Sequence, residues 1–191
     1  MQTVFLDRDG VINRNRPQGD YVKSWEEFQF LPVARGAIAR LAQAGFRLLV
    51  ITKQACVGKG IVSWDTIKQI HELMVREIAR AGGRIEAVLC CPHLPDDECR
   101  CRKQAPGLLK YAQEEYKVDL RQAILVGDSV KDVQTAAAVG MPAIMVLSGL
   151  GRNSDLESVS LRCRLALNLA HAVQLILNDE ILSPNEPLER T

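Results

Sequence analysis

Two carboxylates set two residues apart carry the first chemical signal in the chain. Asp7 and Asp9 frame Arg8 and precede Gly10 in the run Phe5-Leu6-Asp7-Arg8-Asp9-Gly10-Val11-Ile12-Asn13. The apolar stretch from Thr3 to Leu6 reads as a short buried strand. Asp7 then stands at its carboxyl end, and Asp9 lies in the loop beyond, where Gly10 permits a sharp turn. Two acids held this close raise each other's pKa unless a cation neutralises one of them. The pair suggests a Mg²⁺ site, or a nucleophile beside a proton carrier. The same residues also suit an ordinary strand-to-turn junction, where Asp and Gly are common.

The elements that would position these acids follow in order. Residues 13–32 read as loop with a helical turn near Trp25 to Phe28. Ala34 to Gly45 is a helix, with Ala34, Ile38, Leu41 and Ala42 on one face and Gly45 as its stop. Phe46 to Ile51 is a second buried strand ending at Thr52. Lys53 to Gly60 reads as a glycine- and lysine-bearing loop. Ser63 caps a helix running to Ala81, with Ile67, Ile70, Leu73, Met74 and Ile78 as its stripe. Strands are predicted at Ile85 to Cys90, Ala123 to Val126, Pro142 to Leu147 and Leu165 to Leu167. Helices are predicted after Pro106, from Asp132 to Val139, and from Leu169 to Leu177 behind an Asn168 cap. This alternation predicts an α/β fold, a Rossmann-like three-layer parallel sheet with helices on both faces. One domain spans residues 1–182, and residues 183–191 form a frayed tail. The connections are too short for a large cap domain, so the site is expected to be open.

Composition narrows the function classes. The 191 residues carry 24 basic and 23 acidic side chains, for a net charge of +1. No long-range field favours nucleic acid or a membrane surface, and aromatic content is only 5%, too low for base-stacking platforms. No apolar run reaches the length of a membrane span. The N-terminus lacks a basic segment followed by an apolar stretch, which predicts no signal peptide and a cytoplasmic protein. Four of the six cysteines fall between Cys90 and Cys101, a clustering that points to metal in a cytosolic enzyme.

Lining up the strand ends brings Asp7 and Asp9 together with Thr52, Asp128 and, at the start of a helix, Lys103. Their chemistry is coherent. A carboxylate can attack phosphorus, Mg²⁺ takes carboxylate and phosphate oxygens, and a hydroxyl and an ammonium can hold the remaining phosphoryl oxygens. In this order Asp7-x-Asp9-Gly10, Thr52, Lys103 and Gly127-Asp128-x-x-x-Asp132 resemble the four motifs of the haloacid dehalogenase superfamily of phosphatases, over residues 3–151. The resemblance implies Asp7 as nucleophile and Asp9 as general acid/base. Thr52 and Lys103 would stabilise the transferring phosphoryl group. The Asp7 and Asp128 carboxylates and the Asp9 backbone carbonyl would bind Mg²⁺, with Asp132 in support.

Cys91-Pro92-His93 followed by Cys99-Arg100-Cys101 gives the spacing C-x-H-x5-C-x-C. Four such ligands suit a structural, tetrahedral Zn²⁺ with no open position; reduced cysteines or a disulfide are the alternatives. The clipped loop would deliver Arg102 and Lys103 to the site. It resembles the zinc loop shared by D-glycero-D-manno-heptose 1,7-bisphosphate phosphatases and bacterial histidinol-phosphate phosphatases. The x5 spacing is familiar from the histidinol branch. Asp20-Tyr21-Val22, Gly58-Lys59-Gly60, Pro106-Gly107 and Ser148-Gly149-Leu150-Gly151 lean to the heptose branch. The resemblance implies a substrate pocket drawn from Gly19, Asp20, Tyr21, Lys53, Gln54, Ala55 and Arg102.

The chain departs from this pattern. Thr52-Lys53-Gln54-Ala55-Cys56 stands where Thr-Asn-Gln-Ser-Gly is usual, so Lys53 adds charge, Ala55 loses a hydroxyl and Cys56 replaces a glycine. Gln104 stands where proline is usual. The expectation is a monomeric, Mg²⁺-dependent phosphatase of a small sugar bisphosphate, first heptose 1,7-bisphosphate and second histidinol phosphate. A nucleic-acid 3′-phosphatase is disfavoured by charge. A zinc-stapled binding module without activity is the non-enzymatic alternative.

Overall fold

A computed structural model describes residues 2–17, 19–94, 96–97, 99, 101, 106–150 and 163–181. Among the described residues, six parallel strands form one sheet in the order β3-β2-β1-β4-β5-β6. They are β1 (Thr3–Asp7), β2 (Arg47–Lys53), β3 (Ala87–Cys91), β4 (Ile124–Gly127), β5 (Ala143–Val146) and β6 (Cys163–Ala166). The helices are α1 (Ala34–Gln43), α2 (Ala55–Gly58), α3 (Trp64–Arg80), α4 (Gly107–Glu115), α5 (Val130–Ala137) and α6 (Leu169–Leu177). This is the expected Rossmann-like three-layer α/β architecture.

The layers follow from the two-residue period of a strand. Val4 and Leu6, Leu48 and Val50, and Ile124 and Val126 face one side, packed with Ile38, Leu41, Ile67, Met74 and Val173 from α1, α3 and α6. Phe5, Leu49, Ile51, Leu125 and Met145 face the other, against Leu109, Ala112, Val133 and Ala136 from α4 and α5. Both faces of the sheet are covered, which is why its strands read as continuous apolar runs. Each large aliphatic side chain buried here contributes about 1.5–3 kcal/mol, so the short strands are held firmly despite their length.

Boundaries differ from the sequence reading where polar residues join elements. Thr52 and Lys53 extend β2 by pairing with Cys90 and Cys91 of β3. Cys91, not Cys90, is the buried end of its strand. The stretch after Gln54 is helical, not an open glycine loop, because Cys56 lies inside α2. Gly58 is required there for contact: its N–H donates to Pro92 O at 2.9 Å, and a Cβ would meet Leu94 N at 3.0 Å. The helix expected from Asp132 starts at Val130, since Ser129 forms a capping box with Asp132. Ser63 and Asn168 cap α3 and α6 as expected, accepting from Thr66 N and His171 N. A turn closes from Phe28 N to Trp25 O. The tail at 183–191 and the loop beyond Leu150 lie outside the described residues. No described helix is long and apolar enough to cross a membrane.

Candidate active site

β1 lies at the middle of the sheet, between β2 and β4, with Asp7 opposite Ile51 and Leu6 opposite Val126. Its carboxyl end therefore sits beside Thr52 and Asp128. Carboxylate oxygens of Asp7, Asp128 and Asp132 all lie within 4.8 Å of one another. Arg8 N donates to Asp7 Oδ1 at 2.6 Å. Asn15 Nδ2 and Leu150 N donate to Asp128 Oδ2 at 2.7 and 2.9 Å. Ser129 N and Oγ donate to Asp132 Oδ2 at 3.1 and 2.6 Å.

Three glycines make room for these acids. A Cβ on Gly10 or Gly149 would overlap the Asp128 carboxylate, and one on Gly127 would overlap Asp132. Gly10 also takes φ +82°, a conformation strained for any other residue. Ser148 Oγ, donating to Gly10 O at 2.8 Å, ties the β5 loop to the β1 loop across Asp128.

The electrostatics of this cluster call for a cation. Burial, and then the charges of Asp132, Asp128 and Asp9, push the Asp7 carboxyl well above its usual range. Burial also raises Asp128, against the donors Leu150 N and Asn15. A divalent ion placed among three carboxylates removes both penalties, so these residues fit Mg²⁺ bound by oxygen.

Asp9 sits in a different environment. Burial alone would raise it, but Arg8, Asn13 and Gln54 outweigh that and hold its carboxyl below the usual range. Arg8 Nη2 is 2.9 Å from both Asp9 oxygens. Asn13 Nδ2 donates to Oδ1 at 2.9 Å and Gln54 Nε2 to Oδ2 at 2.8 Å. Without a cation these directions are the reverse of a nucleophile and a proton donor, since burial and three acids favour a protonated Asp7 and the Arg8 cage an ionised Asp9; a divalent ion beside Asp7 restores its ionised form.

Asp7, Asp9, Thr52, Lys53, Asp128 and Asp132 line a single cleft of about 340 Å³. Gln54 and Ala55 do not line it. Gln54 is buried, with Nε2 also 2.8 Å from Thr52 Oγ1 and Oε1 accepting from Cys56 Sγ at 3.7 Å. Its amide is spent orienting Asp9 and Thr52, and Cys56 supports it from within α2. Gly19, Asp20 and Tyr21 stand away from the cleft. Asp20 pairs with Arg16 and Lys23 at 2.9 and 2.7 Å, and Tyr21 packs on the core with Lys59 Nζ 5.4 Å from its ring. Arg102 and Lys103 lie outside the described residues.

The cleft also contains groups that motif reading passes over, including Asn15, Ser129 and Lys131. Ser129-x-x-Asp132 is a capping-box spacing legible in sequence. Nothing local marks Asn15, whose partner lies 113 residues away.

Cys91, His93, Cys99 and Cys101 place their ligand atoms within 4.8 Å of one another. The sulfurs are 3.1, 3.3 and 3.8 Å apart, and His93 Nδ1 is 3.2 Å from Cys101 Sγ and 3.7 Å from Cys91 Sγ. A disulfide needs about 2.05 Å. Tetrahedral ligands about 2.3 Å from Zn²⁺ stand about 3.8 Å apart. The set therefore fits zinc, with His93 using Nδ1. Burial and the neighbouring thiols push the Cys101 thiol up, so metal binding must displace protons and will weaken as pH falls. Replacing Cys99 with Ser is expected to take bound zinc from one per chain toward none by elemental analysis. Phosphatase activity should fall more than about tenfold, because Cys101 borders the catalytic cleft.

A central parallel sheet whose carboxyl edge gathers an Asp-x-Asp pair, a strand-end threonine and two further acids is the arrangement of haloacid dehalogenase-type phosphatases. A family model described as HAD-hydrolase-like matches residues 100–172. The D-glycero-beta-D-manno-heptose-1,7-bisphosphate 7-phosphatase of Bordetella bronchiseptica is 40% identical over 154 residues, covering 81% of this chain and 85% of that one. Its namesake from Pseudomonas aeruginosa is 39% identical over 148 residues, covering 78% and 82%. The crystal structure of D,D-heptose 1,7-bisphosphate phosphatase from B. bronchiseptica, complexed with magnesium and phosphate, superposes with a TM-score of 0.86. It is 37% identical and covers 94% of this chain and 99% of that one. The chain belongs to the haloacid dehalogenase-type hydrolases, within the family of the heptose-1,7-bisphosphate 7-phosphatases.

Proposed function

We propose that this phosphatase removes the 7-phosphate of D-glycero-D-manno-heptose 1,7-bisphosphate through a phosphorylated Asp7. The observation that carries the reading is the Asp7–Asp128–Asp132 cluster beside a separately caged Asp9, at the edge of an open cleft. Asp7 attacks phosphorus, and Asp9 gives its proton to the departing sugar oxygen. Asp9 then takes a proton from the water that hydrolyses the aspartyl phosphate. Thr52 Oγ1, steadied by Gln54, and Lys103 hold phosphoryl oxygens as charge develops. Asp7, Asp128 and the Asp9 backbone carbonyl would hold Mg²⁺, with Asp132 in support, and the ion supplies charge neutralisation for the dianionic phosphate.

Lys53 and Lys131 border the same cleft. Together with Arg102 they supply cations for the substrate's second phosphate, so Lys53 reads as a gain in anion affinity. The intact phosphoryl-transfer groups disfavour the inactive binding module. The enzyme acts as a monomer in this reading.

Phosphate release is the test, with both anomers of heptose 1,7-bisphosphate and with histidinol phosphate, each with Mg²⁺ and with chelator. The expected result is Mg²⁺-dependent turnover with kcat/KM for one heptose anomer at least about tenfold above histidinol phosphate. Preference for histidinol phosphate would move the substrate assignment to the other branch.

A further inference from the structure

Arg8 separates the two motif acids, yet it is not a surface charge. It is 1% exposed, the largest side chain among the fully buried ones. Its Nη2 spans both Asp9 oxygens at 2.9 Å. Its Nη1 lies 3.2 Å from His71 Nε2, and its Cζ lies 6.0 Å from the centre of the Phe28 ring. Among the described residues Nε meets no hydrogen-bond partner. Burying a cation costs several kcal/mol unless its partners compensate, and here the compensation comes from Asp9, His71 and the Phe28 ring. A surface arginine would avoid that cost, so the location needs a reason.

His71 supplies the second half of the arrangement. It belongs to the buried stripe of α3, at 6% exposure. A guanidinium only donates, so His71 Nε2 accepts and its ring proton lies on Nδ1. Burial, and then Arg8, push its pKa down to about 3, which keeps the ring a neutral acceptor. A chain of contacts therefore runs from the helix layer through His71 and Arg8 to Asp9.

We infer that Arg8 and His71 are positioning residues for proton transfer: Arg8 aims the Asp9 carboxyl at the leaving oxygen, and His71 fixes Arg8. The inference rests on the reading of Asp9 as the proton carrier. In the first half-reaction an Asp7 oxygen bonds to phosphorus, the bond to the sugar oxygen breaks, and the Asp9 proton passes to that oxygen. In the second, a water oxygen bonds to phosphorus, the aspartyl phosphate bond returns its electrons to Asp7, and the water proton passes to Asp9.

The leaving group separates positioning from folding. An alkyl phosphate needs the proton in the first half-reaction, whereas 4-nitrophenyl phosphate leaves without one. For Arg8→Met, kcat/KM on an alkyl or sugar phosphate should fall on the order of 10²-fold. On 4-nitrophenyl phosphate it should fall less than about threefold. The second half-reaction still needs Asp9, so nitrophenol should appear in a burst of about one equivalent per enzyme. His71→Leu should show the same selective loss to a smaller degree. His71→Gln, which keeps an acceptor, should restore the wild-type ratio. Should Arg8→Met fail to fold in a thermal melt, Arg8→Lys and the His71 pair carry the same comparison. Equal losses on both substrates, or His71→Gln behaving as His71→Leu, would overturn the inference. Absence of wild-type turnover on either substrate would instead remove the phosphatase reading beneath it.

Discussion

Asp7→Asn is expected to lower kcat by on the order of 10⁴- to 10⁶-fold on every phosphate ester, the scale seen when a catalytic nucleophile is removed. The amide matches the carboxyl in shape and can still accept from Arg8 N, so the fold should survive. Indeed the variant should melt higher than wild type without metal. Burial and three neighbouring acids raise the Asp7 carboxyl, and a neutral amide relieves that repulsion. The combination of a dead enzyme and a steadier metal-free fold is specific to a nucleophile built inside an acid cluster. Thermal melts with and without Mg²⁺, beside steady-state kinetics, check both halves. Wild-type melting should rise with Mg²⁺, and the variant's much less.

Gly149→Ala is the second large effect, and it involves no charged residue. The new Cβ would overlap the Asp128 carboxylate, which also accepts from Asn15 and Leu150 N. Something must move, and the atoms overlapped are those of the Asp128 side chain. The Leu150 N bond would be lost and Asp128 displaced from Asp7 and Asp132. Activity at saturating substrate should fall on the order of 10²-fold, with the Mg²⁺ concentration for half-maximal rate raised about tenfold or more. A Mg²⁺ titration of the rate reads it directly. Unchanged Mg²⁺ dependence would mean that Asp128 does not hold the metal.

The strand-end acids and threonine are legible in the sequence, and their supports are not. Asp7, Thr52 and Asp128 each end an apolar run, and in a parallel sheet covered on both faces such runs end at one edge. Their convergence follows from local pattern alone. The Cys91, His93, Cys99 and Cys101 cluster is legible too, being four residues within one short loop whose ligand atoms lie within 4.8 Å of one another. The resemblance implies Gln54 as a pocket residue, but its amide is turned inward to Asp9 and Thr52. It implies Gly19 to Tyr21 as well, yet Asp20 is paired with Arg16 and Lys23 and Tyr21 packs on the core, away from the cleft.

What sequence hides is which side chain is buried. Nothing local marks Arg8 as buried; His71, brought against it, lies 63 residues away. Asn15 and Gly149 act on Asp128 across the β1 and β5 loops, at separations where no local spacing carries information. Cys56 stands where glycine is usual, but it lies within α2, which needs no left-handed residue there. The glycine that matters is Gly58, pressed against the zinc loop.

Acid-quench labelling shows whether Asp7 carries the phosphoryl group. The wild-type enzyme is mixed with heptose 1,7-bisphosphate radiolabelled at the 7-phosphate, in the presence of Mg²⁺. It is quenched in acid within one turnover and mapped by peptide. Label is expected on the peptide carrying Asp7, released on chase with unlabelled substrate and absent from Asp7→Asn. Phosphate release at full rate with no label on Asp7, or with Asp7→Asn still turning over, would contradict it.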